Sequence, residues 1–511
     1  MNKSVLIFRR SRIGKFLCLT VTGLTYLVWQ LVALDGKYLK VPNRSSQIFL
    51  EDAQREEIYF AVSNIQEILS NSSGYVDIFL RDPDVSCKYP LLNPLDEFSI
   101  RNYQKKTIRC DNLNDDRAVI DLTGGLTLKP DMRGRNEYCF YSEITRPLLE
   151  ERADFSLKAP LVGTIYPQSD FTYIECLNES GNITFTDLLA RTQRIQDIRE
   201  YNNSDEFSIA VIGVGSMTRM NFMRQMPRSY NFLKNSMGSI EMQGFSVVET
   251  ATSYQNIVAM VERKEGSGNS SKFIWEDFEE AGAVTMYAED APKMEMFRRG
   301  AKPLKRKPTH HYGNTFWAAL RNSGKAHRSQ ENCFGFHPRH LLHLKYILSF
   351  LRTYKDSPSF LLSLYNELTR ENVNLAQGMD DDFAEFLRTL VKEELLSRTV
   401  VMIVGVHDEL FDKPTRPQST EDKMQLVSVI LPQSTPQRWK DALQVNRKRM
   451  TSTYDLYKTL IDILGTLNVS KTKINRLKDM NPGTSLFAEI SPNRTCQDAS
   501  LGVEWCLCQE N

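Results

Sequence analysis

Residues 207–233, FSIAVIGVGSMTRMNFMRQMPRSYNFL, constrain the fold more than any other stretch. An unbroken apolar run at 209–212 is followed at once by Gly213 and Gly215. It reads as a fully buried strand that ends in a loop, as strands of an α/β sheet do. Ligand sites in such folds lie beyond the carboxyl ends of the strands, so the place to look for chemistry is Gly215-Ser216.

The residues that follow keep the same pattern. Candidate strands at 209–214, 283–287, 359–364, 400–406 and 426–431 alternate with helical periodicity at 274–280, 341–354, 380–396 and 453–464. That alternation predicts a mostly parallel sheet flanked by helices over 200–511. Residues 58–199 differ: four cysteines and short β-like runs at 75–80 and 118–122 read as a disulfide-stapled N-terminal domain. The basic run at 298–307 reads as a solvated loop.

Charge and cysteine usage bound the compartment. Lys+Arg of 64 against Asp+Glu of 63 leaves no basic excess, so no nucleic-acid partner is expected. Residues 1–15 are basic and precede 16–34, nineteen residues without a charge. As a helix these would span nearly the ~30 Å of a bilayer core. The positive flank predicts a signal anchor with a cytoplasmic tail, a polar stalk at 35–57 and a lumenal or extracellular body; a cleaved signal peptide is the other reading. Asn-x-Ser/Thr sequons begin at Asn43, Asn71, Asn178, Asn182, Asn202, Asn269, Asn468 and Asn493, all after the apolar run. Cys18 lies inside that run, and Cys87, Cys110, Cys139, Cys176, Cys333, Cys496, Cys506 and Cys508 are enough for four bridges. Eight cysteines allow ~105 pairings, and none has zinc-finger spacing.

Longer motifs carry a resemblance. VIGVGSMTRMNFMRQMP, FIWEDFEEAGAVTMYAEDAP and KPTHHYGNTFWAA, with STYDLYKTLIDILG, GTSLFAEI and PNRTCQDASLGVEWCLCQ near the end, resemble an animal family of single-anchor membrane proteins. It is catalogued as domain of unknown function 229, within the alkaline phosphatase/sulfatase superfamily. The resemblance implies a site at the carboxyl edge of the sheet. There two divalent cations, zinc or calcium, activate a hydroxyl nucleophile on a phosphate or sulfate ester.

Position by position, that site looks degenerate. Where the superfamily's first strand ends in a metal-binding aspartate, this chain has Gly215, with the neutral Ser216 next. The nucleophile position falls on Ser253, beside Thr252, although both residues also suit a helix N-cap. A Ser-His-Asp position falls on Arg370 and Glu371, and arginine has no lone pair for a metal. In the last, Ser-Asp-His-Gly, His407 keeps the imidazole while Val406 replaces the aspartate and Asp408 stands one step beyond.

Other candidates are weaker. His337, His340 and His343 fall at i, i+3 and i+6 and read as part of an amphipathic helix rather than metal ligands. His310-His311 read as a loop or as anion binders, and Glu289-Asp290 as loop caps or an active-site pair. The chain is therefore expected to be a membrane-anchored glycoprotein that keeps a sulfatase- or phosphatase-like fold without catalysis. No cofactor is expected, and its ligand would be an anionic glycan, a phosphoester or a protein. The alternative is an active, metal-dependent ester hydrolase with Ser253 as nucleophile and His407, Glu371 and Asp408 as ligands.

Overall fold

A computed structural model describes residues 62–71, 84–110, 117–121, 123–129, 137–147, 152–248, 255–265, 270–291, 307–370, 372–406 and 420–508. All belong to one unit, Ile58–Asn511. The predicted anchor at 16–34, the strand at 75–80 and the sequons at Asn43 and Asn269 lie outside the described residues. Among the described residues, no helix is long and apolar enough to cross a membrane.

The amino-terminal strands are β1 (Ala118–Ile120), β2 (Glu137–Thr145), β3 (Phe171–Asn178) and β4 (Ile183–Ala190). β2, β3 and β4 form an antiparallel meander. The predicted strand 118–122 stops at Ile120 because Asp121 turns the chain, its carboxylate accepting from the N–H groups of Thr123 and Gly125 at 2.7 and 3.0 Å.

The main sheet is built on β5 (Ser208–Gly215), β6 (Val284–Glu289), β7 (Ser359–Tyr365), β8 (Thr399–Val406) and β9 (Val427–Ile430). Its seven strands run in the order Ile240–Glu241, β9, β8, β5, β7, β6, His311–Tyr312. β8, β5, β7 and β6 are parallel, and β9 returns antiparallel. Every residue of β5, β7 and β8 is buried, as expected for strands covered on both faces.

The period-2 alternation of β5 divides its side chains between two cores. Ala210, Ile212 and Val214 pack with Ile347 and Phe350 of α3 (Arg339–Thr353) and Phe383 and Leu387 of α4 (Asp380–Lys392). Ile209 and Val211 pack with Ile257 of α1 (Gln255–Val261), Trp275 of α2 (Ile274–Glu280) and Leu460 of α5 (Thr453–Leu464). α3 begins two residues before its predicted start because Pro338 sits at its N-cap, suiting an entry that needs no N–H. α4 ends well short of residue 396, where Glu394 adopts a left-handed φ of 56° that stops the helix.

The eight body cysteines pair as Cys87–Cys508, Cys110–Cys333, Cys139–Cys176 and Cys496–Cys506. Only Cys139–Cys176 is internal to 58–199; Cys87 and Cys110 tie that segment to the α/β body. The two parts also share a core, where Phe171 meets the rings of Phe316 and Tyr346 at 5.7 and 5.2 Å.

Candidate functional site

Three parallel strands end side by side at Gly215, Tyr365 and Val406, with Val406 the register partner of Gly215. Ser216 then turns sharply with φ 54°, a left-handed conformation that serine adopts only where its surroundings impose it. Its N–H donates to the Val406 carbonyl at 2.8 Å and its hydroxyl to the Thr369 carbonyl at 3.4 Å. The turn is wedged against β8 so closely that a Cβ on Gly405 would stand 1.9 Å from the Met217 carbonyl oxygen. Only glycine fits there.

The space that a side chain on Gly215 would enter is already filled. A Cβ built there would lie 2.8 Å from Thr369 Oγ1, 3.0 Å from the Tyr365 carbonyl oxygen and 3.1 Å from Asn366 Oδ1. Thr369 is 1 % exposed, and its hydroxyl has no hydrogen-bond partner among the described residues. Val406 is also buried, as part of the apolar core. Arg370 is exposed, so the residue after β7 that faces Gly215 is Thr369. Thr252, Ser253, Glu371, His407 and Asp408 lie outside the described residues.

Gly215, Val406, Thr369 and Asn366 do not by themselves fit a bimetallic centre. Glycine and valine offer no donor, and Thr369 and Asn366 supply only neutral oxygens. Among the described residues, the only three-donor cluster of His, Cys, Asp or Glu is Cys496, Cys506 and Cys508, and all three are in disulfides.

The family model "Protein of unknown function (DUF229)" matches residues 99–511. The chain belongs to that family. No curated protein matches it by sequence. Among solved structures, it is similar to the lipoteichoic acid synthase LtaP from Listeria monocytogenes at 11 % identity and TM-score 0.36, covering 57 % of this chain and 78 % of that one. It is also similar to the C-terminal periplasmic domain of EptC from Escherichia coli at 12 % and 0.37, covering 59 % and 92 %. The PsFucS1 sulfatase from Pseudoalteromonas sp. gives 11 % and 0.32, covering 56 % and 71 %.

In this DUF229 chain the carboxylates beside the edge are engaged with their neighbours. Glu289 accepts from Tyr287 Oη at 2.5 Å and Asn366 Nδ2 at 3.0 Å. Asp290 accepts from the N–H groups of Asn366 and Glu367 at 2.7 and 3.1 Å, so the pair fastens the end of β6 to the turn after β7. Burial, and then the charges of Glu367 and Glu289, push the Asp290 carboxyl well above the usual range.

The histidines of the DUF229 chain part company. His340 Nε2 lies 2.7 Å from Asp382 on α4, while His343 sits under β7 between Trp317 and Ser363, so they share no ligand. His310 Nδ1 lies 3.0 Å from Thr285 Oγ1. His311 spends both ring nitrogens inside the protein, on Asp170 Oδ2 at 2.7 Å and Tyr354 Oη at 2.9 Å, and is not available to an anion. This contact across 141 residues joins the start of β3 to the main sheet, and no local sequence pattern announces it.

Proposed function

We propose that this DUF229 protein is a pseudo-hydrolase of the alkaline phosphatase/sulfatase superfamily, which keeps the fold and acts by binding rather than by turnover. The observation that supports this reading is the filled position at Gly215, where Thr369, Asn366 and the Tyr365 carbonyl occupy the space a side chain would enter. Val406, apolar and buried beside it, supports the same reading. We further propose that the body lies in the secretory pathway or at the cell surface, held by residues 16–34 and glycosylated. Four disulfides accord with an oxidising compartment. Asn71, Asn182, Asn202, Asn468 and Asn493 are exposed and Asn178 is half-buried.

The test is elemental analysis of purified residues 35–511 after exhaustive dialysis. The expected result is no stoichiometric zinc or calcium. Retention of two ions per chain would overturn the reading and return Ser253, Glu371, His407 and Asp408 to the ligand and nucleophile list.

A further inference from the structure

A cleft of about 620 Å³ lies away from the strand ends, between the outer face of α3 and strands β1 and β4. It shares no lining residue with the Gly215 edge. Its volume is that of a small-molecule site. Its floor is apolar, with Ile120 of β1, Leu188 of β4, and Phe316, Phe334 and Leu342 on it. Ser349 of α3 is held in place, its hydroxyl donating to the Tyr346 carbonyl at 2.7 Å and accepting from the Thr192 N–H at 2.9 Å.

The charged residues of the lining are unevenly matched. Arg191, Lys345, Arg352 and Lys355 stand against two carboxylates, Asp187 and Glu393. Both acids are committed. Asp187 accepts from Lys325, which is not in the lining, at 2.8 Å. Glu393 gives one oxygen each to Nε and Nη2 of Arg352, both at 2.6 Å, holding that guanidinium in a fixed orientation. Lys345 and Lys355 are exposed and form no ion pair with a described residue. Lys345 and Arg352 are seven residues apart on α3, about 10 Å along one helix face. Burial works against the Arg191 charge, Asp121 offsets it, and the Arg352 charge adds to the burial cost.

We propose that this cleft binds a small organic anion, in which a phosphate or sulfate group is attached to an apolar body. The acid group sits among Arg191, Lys345, Arg352 and Lys355, and the body lies on Val119, Ile120 and Leu342, apolar lining residues that keep exposed surface. Each half of the ligand answers one half of the cleft. The cationic group attracts the oxygens of a phosphate or sulfate, and Val119, Ile120 and Leu342 gain by losing contact with water. The site is independent of the pseudo-hydrolase reading, because no residue of it takes part in the edge described above.

The test uses the full chain in lipid nanodiscs, with empty nanodiscs subtracted, and equilibrium dialysis of two probes that no esterase cleaves. These are 1-naphthylmethylphosphonate and 1-naphthalenesulfonate. At least one is expected to bind about tenfold more tightly than both neutral 1-naphthylmethanol and inorganic phosphate. Preference for the phosphonate assigns a phosphate ester as the natural group, and preference for the sulfonate a sulfate ester. The K345E/K355E variant is expected to weaken binding about tenfold with its unfolding midpoint unchanged, since both side chains are exposed. Equal binding of the alcohol would show the cations idle, and equal binding of inorganic phosphate would show the floor idle. Either result overturns the proposal, as does undiminished binding by K345E/K355E.

Discussion

His343 shows how much a single buried ring can tie to pH. Trp317 Nε1 only donates, and it donates to His343 Nδ1 at 3.1 Å. The neutral ring therefore carries its proton on Nε2, which donates to Ser363 Oγ at 2.8 Å. Burial pushes the pKa down from 6.5 to about 3. The folded state thus refuses a proton that the unfolded chain takes up between those two values, so stability is full above pH 6.5 and falls as pH drops towards 3. Between pH 7 and 4.5 the loss from this group is roughly 2.5 kcal/mol. His343→Gln, which keeps one donor and one acceptor, should be less stable at pH 7 by about 1–3 kcal/mol and should lose less on acidification. Urea unfolding at both pH values measures this. Parallel losses in the two proteins would place the acid sensitivity elsewhere.

At the scale of the element, the ends of β5, β7 and β8 decide what the edge can hold. Gly215→Ala should destabilise by about 1–3 kcal/mol, because the new methyl meets the Tyr365 carbonyl as well as Thr369. Thr369→Ala removes the hydroxyl facing that methyl, so the double variant should be more stable than the sum of the single changes by about 1 kcal/mol. Strict additivity in thermal unfolding would show that Thr369 does not fill the position.

The strands themselves were legible because they are buried on both sides and so appear as apolar runs. Helices 274–280 and 453–464 were legible from their periodicity and match Ile274–Glu280 and Thr453–Leu464. The placing of Gly215 and Val406 at the sheet edge could be read because both lie on strands, whose register is fixed by pairing. Thr369 could not. It lies in the loop after β7, where no period says which residue turns inward, and the sequence comparison points instead to Arg370, which is exposed.

The whole molecule is closed by contacts between residues far apart in the chain. Burial works to raise the Asp170 carboxyl, yet the His311 charge and hydrogen bond hold it below its ordinary value. Tyr346 Oη and the Gln193 N–H donate to the same carboxylate at 2.8 Å each, so this one group locks the amino-terminal strands onto the body. Cys87–Cys508 makes a second lock, 421 residues apart, and it lies against another bridge: Cys496 Sγ is 3.3 Å from Cys508 Sγ. In Cys87→Ser the freed Cys508 thiolate therefore stands within reach of the Cys496–Cys506 disulfide. Attack on Cys496 forms Cys496–Cys508 and releases Cys506 as the thiolate, with no outside oxidant or reductant needed. Peptide mapping of this variant under non-reducing conditions should find the 496–508 pair and a free Cys506. The tie between the amino-terminal segment and the tail would be lost in either pairing, so a stability loss of about 2–5 kcal/mol is expected. A variant that retained only Cys496–Cys506, with Cys508 free, would show that the tail holds these sulfurs apart in solution.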